Sequence, residues 1–206
     1  MKILMLALLL AFPAAAQNEK IVGAPCEGCE AVFQAQPAEI GAVTRITPAD
    51  EPGEKLTLQG IVRGADGKPA PGIDVYAYQT NAAGLYPADE QMRGQAAHRH
   101  GKLRGFARTD AAGRYRFDTV RPGGYPGTDI PQHIHMHVIE PGRCTYYIDD
   151  VLFEDDTRLT PARRRAMSEG RGGPGVIKPQ REGAEWRATR DIELGKGIRD
   201  YTACGK

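Results

Sequence analysis

Alternation of apolar and polar residues is the first signal along the chain. Lys55–Arg63 (KLTLQGIVR) places Leu56, Leu58 and Ile61 in a strand-like setting, with Gly60 as a candidate bulge. Residues 73–78 (IDVYAY) alternate and read as a second strand. Residues 106–109 and 114–119 flank Asp110-Ala111-Ala112-Gly113, the pattern of a β-hairpin. Residues 132–139 (QHIHMHVI) alternate strictly, and 146–153 and 185–192 complete the strand set. Only residues 161–169 read as a helix, with Thr160 as N-cap, Pro161 in the first turn and Gly170 as the stop. Residues 121–127 (RPGGYPG) and 170–175 (GRGGPG) are loops. These elements predict an all-β fold, an antiparallel β-sandwich with long loops and one short helix.

Composition agrees with that pattern. The 206 residues include 25 glycines and 15 prolines, about a fifth of the chain, which excludes a coiled coil or a long-helix bundle. Lys and Arg number 27 against 26 Asp and Glu, so no basic excess points to nucleic acid as a partner.

The first sixteen residues, MKILMLALLLAFPAAA, have Lys2 ahead of an apolar run and end in three alanines. This is the form of a cleaved secretory signal peptide, too short to serve as a membrane anchor. The expected organisation is a signal peptide over 1–16, an N-terminal extension over 17–54 and a sandwich domain over 55–206. The expected location is periplasmic or secreted. Export makes two disulfides the natural state of Cys26, Cys29, Cys144 and Cys204, with three pairings open. A zinc site seeded by C-E-G-C at 26–29 is the rival, and it lacks a second C-x-x-C.

The sharpest chemical signal is His133-Ile134-His135-Met136-His137. On a strand the three histidines share one face, and Ile134, Met136 and Val138 share the other. Neighbouring histidines on that face are separated by about 6.6 Å of strand rise, which two imidazoles can bridge to one metal. The pair is His133/His135 or His135/His137. Tyr125, set between Pro-Gly-Gly and Pro-Gly, becomes a ligand only for a metal acidic enough to displace a phenolic proton of pKa about 10. Hard trivalent iron does so. Asp129 is the only carboxylate between Tyr125 and His135, so a two-histidine, one-carboxylate ferrous site fits less well.

Three stretches in fixed order carry a resemblance: GIVRGADGKPAPGIDVYAYQTNAAGLY (60–86), LRGFARTDAAGRYRFDTVRPGGYPG (103–127) and HIH (133–135). Together they resemble the intradiol ring-cleavage dioxygenases, whose familiar members act on protocatechuate and catechol. The resemblance implies one non-haem Fe(III) held by Tyr86, Tyr125, His133 and His135, which settles the histidine pair against His137. It implies that Tyr86 stays bound while Tyr125 is displaced by substrate and accepts its proton. The implied substrates are a small aromatic diol and O2, with no organic cofactor. His98 and His100 are then not ligands but line the pocket mouth or lie in solvent, and Tyr76, Tyr78, Tyr115, Tyr146, Tyr147 and Tyr201 are structural. One position departs from the family: Ile130 (I-P-Q-H) stands where its better-known enzymes carry an arginine, and Arg104, Arg121 and Arg143 are the candidates to replace that charge. Two other readings compete, a non-catalytic sandwich of the same ancestry and a periplasmic copper or zinc binder using His133, His135 and His137.

Overall fold

The computed structural model describes residues 20–26, 28–34 and 36–204. The leader expected over residues 1–16 lies outside the described residues. Among the described residues, twelve strands and one α-helix, besides four short 3-10 helices, follow in order: β1 Lys20–Ile21, β2 Val43–Arg45, β3 Lys55–Arg63, β4 Asp74–Gln79, β5 Arg104–Arg108, β6 Arg114–Val120, β7 His133–Glu140, β8 Cys144–Phe153, α1 Pro161–Met167, β9 Val176–Ile177, β10 Gln180–Glu182, β11 Glu185–Thr189 and β12 Ile192–Glu193.

The strands form two six-stranded sheets. One runs β1-β8-β7-β4-β5, with β9 also pairing β8. The other runs β10-β11-β3-β6-β2, with β12 also pairing β3. The long ladders β7–β8, β4–β7, β4–β5 and β3–β6 are antiparallel. Short strands then add in parallel at β1–β8, β2–β6, β8–β9, β11–β3 and β12–β3, so the sandwich is mixed at its margins. A two- or three-residue strand carries too little periodicity to be legible in the sequence. Leu56, Leu58 and Phe117 from one sheet meet Val75, Ile134, Met136 and Val138 from the other in the buried core.

Three local expectations change. Residues 106–109 and 114–119 do not pair as a hairpin: β5 joins β4 in one sheet and β6 joins β3 in the other. The Asp110 turn still forms, with its carboxylate accepting from the Ala112 and Arg114 amides, but it serves as a corner between sheets. Gly60 is no bulge, for β3 runs in regular register with β6 through that residue. It is glycine because a Cβ there would lie 2.0 Å from the Arg190 carbonyl oxygen. The strand expected over 185–192 breaks at Arg190 and Asp191. Arg190 turns inward to the carbonyls of Gly172 and Arg171, and the Asp191 carboxylate accepts from the Ile61 amide.

The helix starts as expected, with the Thr160 hydroxyl accepting from the Arg163 amide, and ends at Met167. The four cysteines form two disulfides, Cys26–Cys29 and Cys144–Cys204. The second ties the start of β8 to the C-terminal segment. Among the described residues no helix is long and apolar enough to cross a membrane.

Candidate metal centre

Two glycine-rich loops and one strand converge on the outer face of the first sheet. In the loop after β4, the Asn81 side chain accepts from the Ala83 and Leu85 amides and folds the chain into a tight turn. Gly84 has φ +79°, and a Cβ there would lie 2.2 Å from the Gly124 carbonyl oxygen. A Cβ on Gly123 would lie 2.5 Å from the Gly84 nitrogen, and the Gly123 amide donates to the Asn81 carbonyl. Backbone therefore packs on backbone between A-A-G-L-Y and P-G-G-Y-P, a contact that side chains would prevent. The two tyrosines those sequences carry are brought together, with Tyr86 Oη and Tyr125 Oη 2.8 Å apart.

Strand β7 supplies the other half. Ile134, Met136 and Val138 enter the core, and His133 and His135 face outward toward the tyrosines. Tyr125 Oη lies 3.2 Å from His133 Nε2, and Tyr86 Oη lies 3.0 Å from His135 Nε2. The two Nε2 atoms are 3.1 Å apart, which closes a ring of four donor atoms. All four side chains named from the sequence meet at one point.

The far side of each imidazole fixes its tautomer. His133 Nδ1 lies 2.7 Å from the Pro131 carbonyl, and His135 Nδ1 lies 2.9 Å from Asp150 Oδ1. Both partners accept, so both Nδ1 atoms carry the proton and both Nε2 lone pairs face the centre. Two lone pairs at 3.1 Å repel unless a cation lies between them. Donor atoms held about 2.0–2.1 Å from a common ion sit about 3 Å from one another, which is the spacing of this ring. Burial, then the Tyr125 hydroxyl, raises the Tyr86 phenol above its ordinary value, and burial raises that of Tyr125. Alone, both phenols stay neutral; a strongly acidic cation converts them to phenolates. Two phenolates and two imidazoles are a hard, charge-rich set that fits ferric iron.

Asp150 is the residue sequence reasoning missed. The β7–β8 ladder shifts register between Ile134 and Met136, where β8 carries an extra residue. That irregularity turns Asp150 toward His135. Tyr147 donates to the same carboxylate. Burial opposes the charge on Asp150, but His135, His133 and Tyr147 outweigh it and hold its carboxyl below the usual range. The available signal was two adjacent aspartates inside an otherwise apolar strand.

A cavity of about 410 Å3, within the range for small-molecule sites, opens beside the donors and is lined by Tyr86, Tyr125 and His135 but not by His133. His100 lines it, at the pocket mouth as the sequence allowed, and so do Tyr78 and Tyr147, which the sequence reading made structural. The Tyr78 ring stacks on His100 at 3.6 Å and on His135 at 4.4 Å. His98 does not line it. Neither do the three arginines proposed from the sequence: Arg104 is paired with Asp89, Arg121 with Asp155 and Arg143 with Glu140. The arginines on this cavity are Arg99 and Arg171. His137 stands apart from the ring of donors, packed against Tyr76 and Tyr147. Burial, then His100 and His135, pushes it down to about 3.

Two tyrosines and two histidines brought to one point on a β-sandwich make a candidate metal centre, and the comparisons with known proteins give the class. The Dioxygenase family model (Dioxygenase_C) matches residues 30–169. The protocatechuate 3,4-dioxygenase beta chain of Burkholderia cepacia is 36% identical over 112 residues, 52% of this chain and 48% of that one. Catechol 1,2-dioxygenase 2 of Acinetobacter lwoffii is 32% identical over 149 residues, 59% of this chain and 52% of that one. The dioxygenase domain of a carbohydrate-binding fusion protein from Streptomyces sp. SirexAA-E superposes with a TM-score of 0.57 at 25% identity, covering 77% of this chain and 90% of that one. The chain belongs to the intradiol dioxygenase family. It spans about half the length of the curated relatives it matches.

Proposed function

We propose that the protein is an exported non-haem Fe(III) dioxygenase that cleaves a catechol-type ring between its two hydroxylated carbons, both atoms of O2 entering a muconate-type product. The observation that carries this reading is the closed ring of Tyr86, Tyr125, His133 and His135 donor atoms at 2.8–3.2 Å. The apolar leader-like run over 1–16 and the two disulfides support export.

Tyr86, Tyr125, His133 and His135 would hold the ferric ion, which would supply Lewis acidity and redox capacity at this point. The protein's own groups do the rest. Asp150 and the Pro131 carbonyl hold the two imidazoles in one tautomer and one orientation. Tyr86 follows the tight turn built on Asn81 and, in this reading, stays bound throughout. Tyr125 lies on a Pro- and Gly-rich loop and lines the cavity, so its Oη is placed to take a proton from an incoming catechol hydroxyl. Tyr78 and Tyr147 give the cavity aromatic walls that suit a flat ring. The copper or zinc reading lacks its third histidine here, because His137 packs against Tyr76 and Tyr147 with a ring nitrogen within 4.8 Å of the Cys26 and Cys29 sulfurs.

The test is anaerobic titration of the iron-loaded protein with catechol, followed by oxygen uptake. Visible phenolate-to-iron absorption is expected, changing as catechol binds. Tyr86→Phe should alter both the resting and the substrate-bound spectra. Tyr125→Phe should alter the resting spectrum strongly and the bound one little, while turnover falls. If neither variant changes the resting spectrum, neither phenol binds iron and the proposal fails.

A further inference from the structure

The C-E-G-C sequence at 26–29 and the third histidine of β7 have no part in the proposed reaction, yet the fold brings them together. The sulfurs of Cys26 and Cys29 and a ring nitrogen of His137 all lie within 4.8 Å of one another. His137 is 1% exposed, and its buried Nε2 makes no hydrogen bond among the described residues. A buried polar atom left without a partner is costly, and it calls for an explanation. Cys26 lines the same cavity as Tyr86 and Tyr125, so the group is reachable from solvent on one side.

We propose that Cys26, Cys29 and His137 form a second metal site, closed by their disulfide and opened by reduction, for a thiophilic cation such as Zn2+. Two thiolates and one imidazole are the protein ligands of an open tetrahedral zinc site, with the fourth position left to solvent from the cavity. Soft thiolates select such cations over ferric iron, whose hard donors lie in the neighbouring ring. Opening requires a reductant, a small dithiol. It passes two electrons and two protons to the Cys26–Cys29 bond, giving two thiols, and itself becomes a disulfide. Binding the cation then releases the two thiol protons to solvent. The buried Cys144–Cys204 bridge is shielded from this exchange, with Cys144 fully buried. Gly28 fixes the cysteine turn against the site wall: its φ is +76°, and a Cβ there would lie 2.7 Å from His100 Nε2.

The site is tested with Co2+ as the spectroscopic probe for Zn2+, on the full chain in a His133→Ala/His135→Ala background that removes the other centre. Mild dithiol reduction, checked by alkylation and peptide mapping, should expose Cys26 and Cys29. The reduced protein should then bind one Co2+ with thiolate-to-cobalt absorption in the near ultraviolet, and the oxidised protein should show none. His137→Ala should weaken binding by more than the roughly 10–100-fold that loss of an outer-shell partner costs. Cys29→Ser, which barely changes volume, should abolish the absorption band if His137→Ala does not fold. A reduced protein without the band, or a band of unchanged affinity in a folded His137→Ala variant, overturns the proposal.

Discussion

The two sheets bury their strands differently. In the second sheet, β3 and β6 alternate: Leu56, Leu58 and Phe117 point inward, and Gln59, Arg114 and Arg116 lie on the partly exposed side. In the first sheet, β4 is buried at every position, and β7 and β8 at almost every one. Yet β7 alternates polar and apolar residues strictly from His133 to Val138. Its polar face is covered by the loops that carry Tyr86 and Tyr125, beside a cluster of Tyr76, Tyr78, Phe106, Ile139 and Val32. A polar face left in water costs little and does little. One placed beneath a second layer must find partners, and here histidines, tyrosines and Asp150 partner one another. The difference between the sheets is therefore the difference between a solvated surface and a site.

The largest effect should come from the polar face of β7. His133→Ala and His135→Ala should each lose most of the iron and the ring-cleaving activity, while His137→Ala keeps iron. Metal analysis of the three purified variants checks this. An iron-free His137→Ala protein would move the site by two residues and break the contrast within β7 itself.

Asp150→Asn should come next. The substitution keeps shape but lets the side chain present an amide to His135 Nδ1, so the tautomer that turns Nε2 toward the centre is no longer enforced. Iron affinity should fall by roughly 10–100-fold, as for other outer partners of ligating histidines. Competition with a chelator measures it, and circular dichroism should show the fold unchanged. Unaltered affinity would reduce Asp150 to a packing residue.

Local patterns in the sequence reached the sandwich, most long strands to within two residues, and the line of histidines on β7, whereas Tyr86 and the choice of His133 and His135 over His137 came only from the resemblance to the intradiol dioxygenases. Those patterns are a period of two on a strand, or a turn sequence spelled out by Asn, Gly and Pro. What they missed is non-local. The Asp110 turn is written correctly, but nothing within it says that β5 and β6 belong to different sheets. Gly60 is explained only by Arg190, 130 residues away in the chain. Asp150 reaches His135 through a register shift that neither strand announces. Arg99 and Arg171 reach the cavity from distant parts of the chain, Arg171 while paired with Asp149, whereas Arg104, Arg121 and Arg143 pair with carboxylates away from it.

Stability against pH should separate the two sheets next. Burial, then His100 and His135, push His137 down to about 3 in the folded chain from its ordinary value of about 6.5. Between those values the unfolded chain binds the extra proton. Folding is therefore weakened as pH falls below 6.5, by about 1.4 kcal/mol per pH unit from this histidine. Its contribution is intact above pH 6.5 and levels off again below pH 3. Urea unfolding of the metal-free, oxidised protein from pH 7 to pH 4 should show this slope, and His137→Gln should flatten it. An equal slope in both proteins would mean that His137 is protonated in the native state.

The smallest effect belongs to the solvated face of the second sheet. Arg116 Nε lies 2.7 Å from Asp118 Oδ1, close to the 2.9 Å between His135 and Asp150. By distance alone the two pairs look equivalent. Their surroundings differ: the Arg116 side chain is 43% exposed, while that of His135 is 18% and that of Asp150 is 9%. Water and salt screen the first pair, and the arginine regains hydration when it separates from its partner, so the net gain is below about 1 kcal/mol. The second pair has little water to fall back on, and it holds a ring whose orientation matters to the neighbouring donors. Arg116→Ala should shift the urea midpoint slightly and leave iron content and catechol turnover at wild-type values. A loss of iron in Arg116→Ala would mean that the outer face of β6 is coupled to the centre through the core, and the contrast between the sheets would have to be abandoned.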